Sequence, residues 1–331
     1  MRVVVGEGVI ARFARSEFVY KLHTLFGYVC EGRHVLLPES GEELDEWLGS
    51  LDTHTRSAYR EALGIAARTA VLQVFNVATV HVVEQGDEIW DSSCSILNLD
   101  SALKLLKEPL GIVLENSNND WSFLYGIMRK SEREILDRAL TARWVETVHG
   151  GGSDLVNQIA ERSTFPAKGL RTFVLFDSDR RHPDELKDDW MPKDQEACQG
   201  YHNENAVKKS NVGGYWRLNR RFIESYMPRK ELSKVHGVQD EMLEAYFRLS
   251  THGRWYFNIK KGFKGDEPKE NSHRSLQLYS SVSEPDKAAL HEGFGRKVAD
   301  QYQNARATDF EWDAEALDEA VSAIPELLRL I

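Results

Sequence analysis

The stretch Arg171–His182, RTFVLFDSDRRH, decides the fold of this chain. Its apolar run, Phe173–Phe176, predicts a buried strand, which ends abruptly in Asp177-Ser178-Asp179. In an open α/β sheet, ligands bind beyond the carboxyl ends of the strands, so this strand would deliver two carboxylates to a binding site. Oxygen ligands of this kind suit Mg²⁺ or Mn²⁺ better than zinc, which normally recruits His or Cys. Acidic pairs also occur in surface turns and helix caps, so further motifs are needed to decide.

A second strand of the same design lies upstream. Leu110–Leu114 is apolar, ends in Glu115, and is followed by a polar turn and a predicted helix, Trp121–Lys130. Asp120 precedes that helix and fits either an N-cap or a further acidic ligand. Glu115 has no capping role in this pattern. It therefore strengthens the prediction of an acidic site at the carboxyl edge of a parallel sheet.

A third acidic candidate follows the predicted strand Tyr215–Leu218. The chain then enters a short helical turn that carries Arg221 and Glu224 on one face and stops at Pro228. The alternative interpretation of Arg221 and Glu224 is an exposed ion pair at helical spacing, which would contribute little to stability. Taken with the first two strands, however, Glu224 is a further acidic residue that could converge on the same edge.

The order of these motifs resembles the TOPRIM domain, in the version found in the overcoming-lysogenization-defect family of nucleases and related antiphage nucleases. The first motif corresponds to Glu115, with Asn116 where that family usually has Gly. Glu-Asn at this point is similar to the TOPRIM subunit of plasmid-restriction condensin systems. The second motif corresponds to Val145–Val148 with the Gly-rich turn after it, and the third to the Asp-Ser-Asp of the opening stretch. The last, Arg221–Tyr226, resembles the Arg-x-Ile-Glu-Asn-Tyr pattern of those nucleases.

The resemblance implies an α/β fold with a central TOPRIM domain, whose sheet is Rossmann-like and mostly parallel. It also implies phosphodiester hydrolysis with two Mg²⁺ or Mn²⁺ ions. Two ions about 4 Å apart clamp the attacking water and the leaving oxygen, which requires carboxylates from several strands. Glu115 and Asp177 are then direct or bridging metal ligands, and Asp179 binds the second ion. Glu224 is a ligand or the base that orients water, and Asp120 is a further candidate ligand.

A lysine is also expected, because a phosphoryl transition state requires fixed positive charge. The segment Trp255–Ile259 predicts an apolar strand that enters a turn rich in Lys and Gly, with Lys260, Lys261 and Lys264 as candidates. The resemblance implies one lysine that faces the scissile phosphate, and we assign this role to Lys261, beside Gly262. A basic surface turn is the alternative interpretation.

The remaining sequence predicts flanking regions on both sides of the catalytic domain. Residues 1–108 form an α+β N-terminal domain of unknown role, residues 109–265 the TOPRIM-like domain, and residues 266–331 a helical C-terminal region. In the first, strands Arg2–Val5 and Ala78–Val83 flank a long helix, Thr53–Phe75. In the last, Lys287–Asn304 and Asp313–Leu330 are amphipathic, and Pro325 should break or kink the second helix.

Composition indicates an ordinary soluble protein, since 41% of the 331 residues are hydrophobic and 28% are charged. The cysteines Cys30, Cys94 and Cys198 are odd in number and far apart, which suits a reducing compartment. The N-terminal sequence lacks a continuous apolar leader, and no run approaches the roughly 20 apolar residues of a membrane-spanning helix. We therefore expect a cytoplasmic protein without a membrane partner.

A net charge of −10 opposes binding to nucleic acid, because the overall field repels phosphate. Basic residues nevertheless surround the proposed site: Arg180, Arg181, Lys208, Lys209, Arg217, Arg220, Arg221, Arg229, Lys230, Lys260, Lys261 and Lys264. We expect a nucleic-acid substrate, with DNA favoured over RNA. The acidity and the absence of a Walker motif favour a nuclease gated by a separate ATPase or sensor protein, as the resemblance also implies. The sequence leaves open whether the protein forms a homo-oligomer.

Two other functions stay open from the sequence. An apolar strand that ends in Asp-x-Asp is also typical of nucleotide-sugar glycosyltransferases, where it holds Mn²⁺ against a diphosphate; that interpretation leaves Glu115 and Arg221–Tyr226 unexplained. A non-catalytic TOPRIM subunit that recognises nucleic acid or a partner is the second. The resemblance favours a nuclease in bacterial antiphage defence or DNA processing.

Overall fold

The computed structural model describes residues 1–72, 76–151, 154–192, 198–266 and 277–331. These residues build two four-stranded parallel sheets. The first sheet has the strand order β2-β1-β3-β4 and consists of β1 (Arg2–Val5), β2 (Val35–Pro38), β3 (Thr79–Val82) and β4 (Cys94–Leu97). Parallel neighbours require crossover connections. Those from β1 to β2 and from β2 to β3 are helical, whereas the connection from β3 to β4, which is fully described, contains no helix.

Helices lie between the first three strands of this sheet along the chain, and one more follows β4. They are α1 (Val9–Ala14), α2 (Tyr20–Cys30), α3 (Gly41–Ser50), α4 (Thr53–Leu72) and α5 (Leu99–Lys107). This part is therefore α/β, and the prediction of an α+β N-terminal domain is wrong. The sequence pattern identified β1 and β3 but missed β2 and β4. Helix α4 begins at Thr53 as predicted, and the predicted end at Phe75 lies outside the described residues.

The second sheet has the order β6-β5-β7-β8 and carries the predicted motifs. Its strands are β5 (Leu110–Leu114), β6 (Val145–His149), β7 (Thr172–Phe176) and β8 (Gly214–Arg217). Every residue of the central strands β5 and β7 is buried, which explains their continuous apolar runs and confirms both predicted strands. The predicted strand Tyr215–Leu218 is confirmed with a shift of one residue.

The connections of the second sheet are α6 (Asn119–Ile127), α7 (Lys130–Thr141), α8 (Leu155–Ser163), α9 (Pro166–Leu170) and α10 (Gln199–Lys209). Between β6 and α8, the Gly-rich turn is described except for Gly152 and Ser153. The Gly150 N–H donates to the Leu114 carbonyl at 2.6 Å, so this turn packs beside the end of β5. Both sheets share one main hydrophobic core, and a smaller core covers the other face of the second sheet.

The chain after β8 is helical, and the last three of its helices lie in the predicted helical C-terminal region, 266–331. The helices are α11 (Arg229–Leu232), α12 (Asp240–Arg248), α13 (Thr251–Tyr256), α14 (Glu284–Ala289), α15 (Gln301–Asn304) and α16 (Ala314–Leu328). The predicted continuous helix Lys287–Asn304 is wrong, because Gly293 and Gly295 adopt positive φ angles of 69° and 87°. The predicted strand Trp255–Ile259 is also wrong. Ser250 caps α13, accepting the Gly253 N–H at 3.0 Å, and the helix continues to Tyr256.

Helix α16 packs against β8 and α7. The sequence predicts a break or a kink at Pro325, and the helix is not broken there, because it continues to Leu328. The carbonyl that loses its helical partner at this proline belongs to Val321, whose side chain is 49% exposed. Water can solvate a carbonyl on that side of the helix, which reduces the cost of the proline. Among the described residues, no helix is long and apolar enough to cross a membrane.

Candidate active site

Acidic side chains gather where the strand order of the second sheet reverses, between β5 and β7. Leu114 pairs with Leu175, so Glu115 and Asp177 leave neighbouring strands at nearly the same level. Such a reversal point is the usual ligand site of an open parallel sheet. The predicted juxtaposition of these two carboxylates is therefore a direct result of the strand register.

Glu115 lies among other acids and is held by an amide. Its Oε1 accepts a hydrogen bond from Nδ2 of Asn203, a fully buried residue of α10, at 2.7 Å. Burial raises the pKa of Glu115 well above its usual value, and the charges of Asp177, Asp179 and Asp120 raise it further. A cation near this carboxyl group would lower its pKa again.

Backbone N–H groups of other segments hold the two aspartates of the loop after β7. Oδ1 of Asp177 accepts the Ile223 N–H at 2.9 Å, and Oδ2 of Asp179 accepts the Gly200 N–H at 2.8 Å. Asp179 also adopts a left-handed φ of 55°, which is uncommon for a residue other than glycine and typical of strained functional loops. Burial raises the pKa of both aspartates. A Cβ at Gly200 would lie 2.1 Å from the Ser178 carbonyl oxygen, so only glycine lets α10 approach this loop.

Asp120 belongs to the same acidic group and is not an N-cap. The N-cap position of α6 is Asn118, and Asp120 lies inside the helix with only 6% of its surface exposed. Its Oδ2 accepts the Asn116 N–H at 2.8 Å. Burial raises the pKa of Asp120 to about 7, and the Glu224 charge acts in the same direction.

Glu224 and Lys260 complete the group. Glu224 lies in a 3₁₀ turn, Ile223–Tyr226, with 2% of its surface exposed, and its Oε1 is 3.0 Å from Nζ of Lys260. Its other oxygen, Oε2, is buried and has no hydrogen-bond partner among the described residues. Although burial disfavours the ammonium, the charges of Glu224 and Asp177 raise the pKa of Lys260, so this lysine is protonated.

The lysine chosen from the sequence is not the one at the site. Lys261 is exposed, and its backbone N–H donates to the Asn258 side chain at 3.1 Å. Lys264 pairs with Glu292 at 2.9 Å on the surface. The assignment to Lys261 is therefore corrected to Lys260. The segment folds as the end of a helix and a turn and not as the expected strand, and this turn places Lys260 beside Glu224 and leaves Lys261 exposed.

The interpretation of Arg221 and Glu224 as an exposed ion pair is also wrong. Arg221 is buried and donates from Nη1 and Nη2 to the two oxygens of Asp266, at 2.6 and 2.8 Å. Its carbonyl accepts the Asp179 N–H at 3.0 Å, so this bidentate pair supports the loop that carries Asp179. The turn with Glu224 is held from the other side by Tyr302, whose hydroxyl donates to the Ile223 carbonyl at 2.6 Å.

Several supporting residues were missed by the sequence interpretation. Asn203 contacts Glu115 from α10, and the same helix carries Glu204, which binds the buried Arg180 at 2.7 Å and Arg217 at 2.6 Å. None of these residues belongs to a motif with fixed spacing. The only sequence signal was a polar run, Tyr201–Asn205, in a segment that nevertheless folds against the sheet.

The donor chemistry of the site fits a hard divalent cation, because every candidate ligand is a carboxylate and one buried oxygen of Glu224 has no partner. The side chains as placed do not complete such a site. Within the described ranges, no group of three or more His, Cys, Asp or Glu side chains is arranged to hold a metal ion. Glu115, Asp120, Asp177 and Asp179 each accept an internal hydrogen bond, and Glu224 faces Lys260.

The chain matches no protein-family model, no curated protein and no solved structure. The functional interpretation therefore depends on the chemistry and geometry of the acidic site.

Proposed function

We propose that this protein is a metal-dependent nuclease of the TOPRIM type, which hydrolyses phosphodiester bonds with two Mg²⁺ or Mn²⁺ ions. The proposal depends on one observation. Carboxylates that are far apart in the sequence gather at the carboxyl edge of a parallel sheet, where the strand order reverses. One lysine lies among them in the described part of the chain. These residues are Glu115, Asp120, Asp177, Asp179 and Glu224, with Lys260.

The electrostatics support a site that takes up cations. Partly exposed carboxylates whose pKa values are raised by burial and by one another are unfavourable when all are ionised. A divalent cation would relieve this repulsion and displace the bound protons. Glu115, Asp177 and Asp179 would hold the ions with Glu224 and Asp120. Bound ions of this kind activate water and stabilise the leaving oxygen.

The other side chains of the site have roles that follow from their contacts. Lys260 supplies a fixed positive charge beside the carboxylates, where a phosphate would otherwise be repelled. Asn203 orients Glu115, and Arg221 with Asp266 supports the Asp179 loop. The substrate would be a nucleic acid, and a separate ATPase or sensor protein would gate the reaction in antiphage defence or DNA processing.

One observation favours a second candidate, a non-catalytic TOPRIM subunit. The internal hydrogen bonds of the acids and the Lys260–Glu224 ion pair satisfy most of the network without a metal. In that case the acidic residues would maintain the fold of a nucleic-acid-binding or partner-binding surface. A glycosyltransferase would use only the Asp-x-Asp motif to bind its metal ion. The ion pair between Glu224 and Lys260 would then have no function.

The test is cleavage of labelled plasmid, linear DNA and total RNA with Mg²⁺ or Mn²⁺. The wild-type protein is compared with Asp177→Asn and with a matched control, Asp189→Asn, which makes the same change at an exposed position. We expect cutting that requires the metal, is lost in Asp177→Asn and is retained in Asp189→Asn. Cutting by Asp177→Asn at the wild-type rate would refute the site, and no cutting by any protein would favour the non-catalytic subunit.

A further inference from the structure

A recess lies between the two sheets, away from the acidic edge. Its volume is about 630 Å³, which is within the range of small-molecule sites. The first sheet contributes Arg33 and Val35, helix α7 contributes Ile135 and Arg138, and Trp144 lies before β6. No residue of the acidic site lines it among those described. Junctions between two structural units are common places for ligands.

The recess has an excess of positive charge. Arg33, Arg129 and Arg138 line it, and Glu132 is the acidic side chain among the described lining residues. Glu132 is already engaged, because its Oε2 accepts the backbone N–H of Arg129 at 2.7 Å. No described carboxylate forms an ion pair with Arg129 or Arg138. Unpaired guanidinium groups beside a cavity favour phosphate or carboxylate ligands.

Arg33 is held in place for such a role. Its Nη2 donates to the carbonyls of Lys107 and Glu108, both at 2.8 Å, which fixes the guanidinium. Its Nε is buried and has no hydrogen-bond partner within the described part of the chain. The fixed guanidinium keeps a positive charge beside the recess, which favours an anionic ligand there.

The walls of the recess are apolar. Val35 and Val77 come from the first sheet and its connection, Ile135 from α7 and Leu328 from the end of α16, and the indole of Trp144 adds an aromatic surface. Apolar and aromatic walls with a few converging polar groups are typical of sites for ligands with a flat apolar body. An inorganic anion alone would leave this surface uncovered.

We propose that this recess binds a nucleoside phosphate, with the base against Trp144 and the apolar wall and the phosphate groups on Arg129 and Arg138. Several guanidinium groups match a phosphate better than a single carboxylate, and the apolar walls match the base. The ligand would contact both sheets and the C-terminal helix. It therefore stabilises their packing by binding the folded protein, whether or not the acidic edge is a nuclease.

The experiment is calorimetric titration of the full chain with AMP, ADP, ATP, adenosine and inorganic phosphate. EDTA is present, so that nucleotide held by divalent ions at the acidic edge does not contribute. The test variant is the double substitution Arg129→Gln/Arg138→Gln. The matched control is Lys130→Gln, which removes one positive charge from an exposed position of the same helix that does not line the recess.

We expect saturable binding of at least one nucleotide, weakened about tenfold or more in the double variant and unchanged in Lys130→Gln. Adenosine and phosphate should each bind more weakly than the nucleotide, because each fills one part of the recess. Phosphate that binds as tightly as every nucleotide would overturn the assignment to nucleoside phosphates. Absence of nucleotide binding, or equal binding by the double variant, would overturn the site itself.

Discussion

Replacement of Asp120 by asparagine should stabilise the metal-free protein in a pH-dependent way. The folded protein binds the Asp120 proton more tightly than the unfolded chain does, because burial raises the pKa of Asp120 from 3.8 to about 7. Stability is therefore lost as pH rises from about 4 to about 7, and the loss persists at higher pH. Since one pKa unit corresponds to about 1.4 kcal/mol, ionised Asp120 costs roughly 4 kcal/mol above pH 7.

Asparagine has the same shape and no charge, and its Oδ1 can still accept the Asn116 N–H. It loses the favourable interaction of a carboxylate with the first turn of α6, which offsets about 1 kcal/mol or less. The free energy of unfolding of Asp120→Asn, relative to the wild type, should therefore increase by roughly 3 kcal/mol between about pH 5 and about pH 8.

The assay is urea unfolding of both proteins in EDTA at several pH values, with Asp189→Asn as the control for an exposed aspartate. The control should follow the wild type at every pH. A difference between Asp120→Asn and the wild type that does not change with pH would refute the electrostatic account of the site, and so would a less stable variant at pH 8.

Two further predictions concern Lys260 and Gly200. Lys260→Met should abolish nucleic-acid cleavage, whereas Lys261→Met should leave cleavage rates within about twofold of the wild type. Equal effects of the two substitutions in the cleavage assay would contradict the assignment of Lys260 to the site. Gly200→Ala should destabilise the protein by about 2 kcal/mol or more in urea unfolding, because the new Cβ would meet the Ser178 carbonyl oxygen. The control Gly49→Ala, which has open space at its Cβ, should not destabilise the protein. A stable Gly200→Ala protein would show that α10 does not approach the loop this closely.

The central strands and the acidic edge were predictable because one physical rule governs each. A strand buried on both faces requires a continuous apolar run, and β5 and β7 have such runs. Their polar ends then mark the carboxyl edge of the sheet, so Glu115 and Asp177 were identified without knowledge of the tertiary structure. The role of these residues as metal ligands stays a prediction.

The features that sequence could not give depend on contacts between distant segments. Asn203 meets Glu115 across 88 positions, and no local pattern marks it as a partner. Lys260 and Lys261 are adjacent, and the difference between them is the turn after α13, which was mistaken for a strand because aromatic residues are common in strands. The first sheet was only half identified, since β2 and β4 owe their strand structure to pairing with β1 and β3.

A metal site at the acidic edge is tested by Mn²⁺ binding, measured by the loss of the free-ion electron paramagnetic resonance signal. The wild-type protein, Asp177→Asn and Asp189→Asn are titrated at about pH 8, where the carboxyl groups most readily release their protons. We expect saturable binding by the wild type and by Asp189→Asn, with affinity reduced at least about tenfold in Asp177→Asn. Equal binding by all three proteins, or no binding by the wild type, would contradict a metal site at the acidic edge.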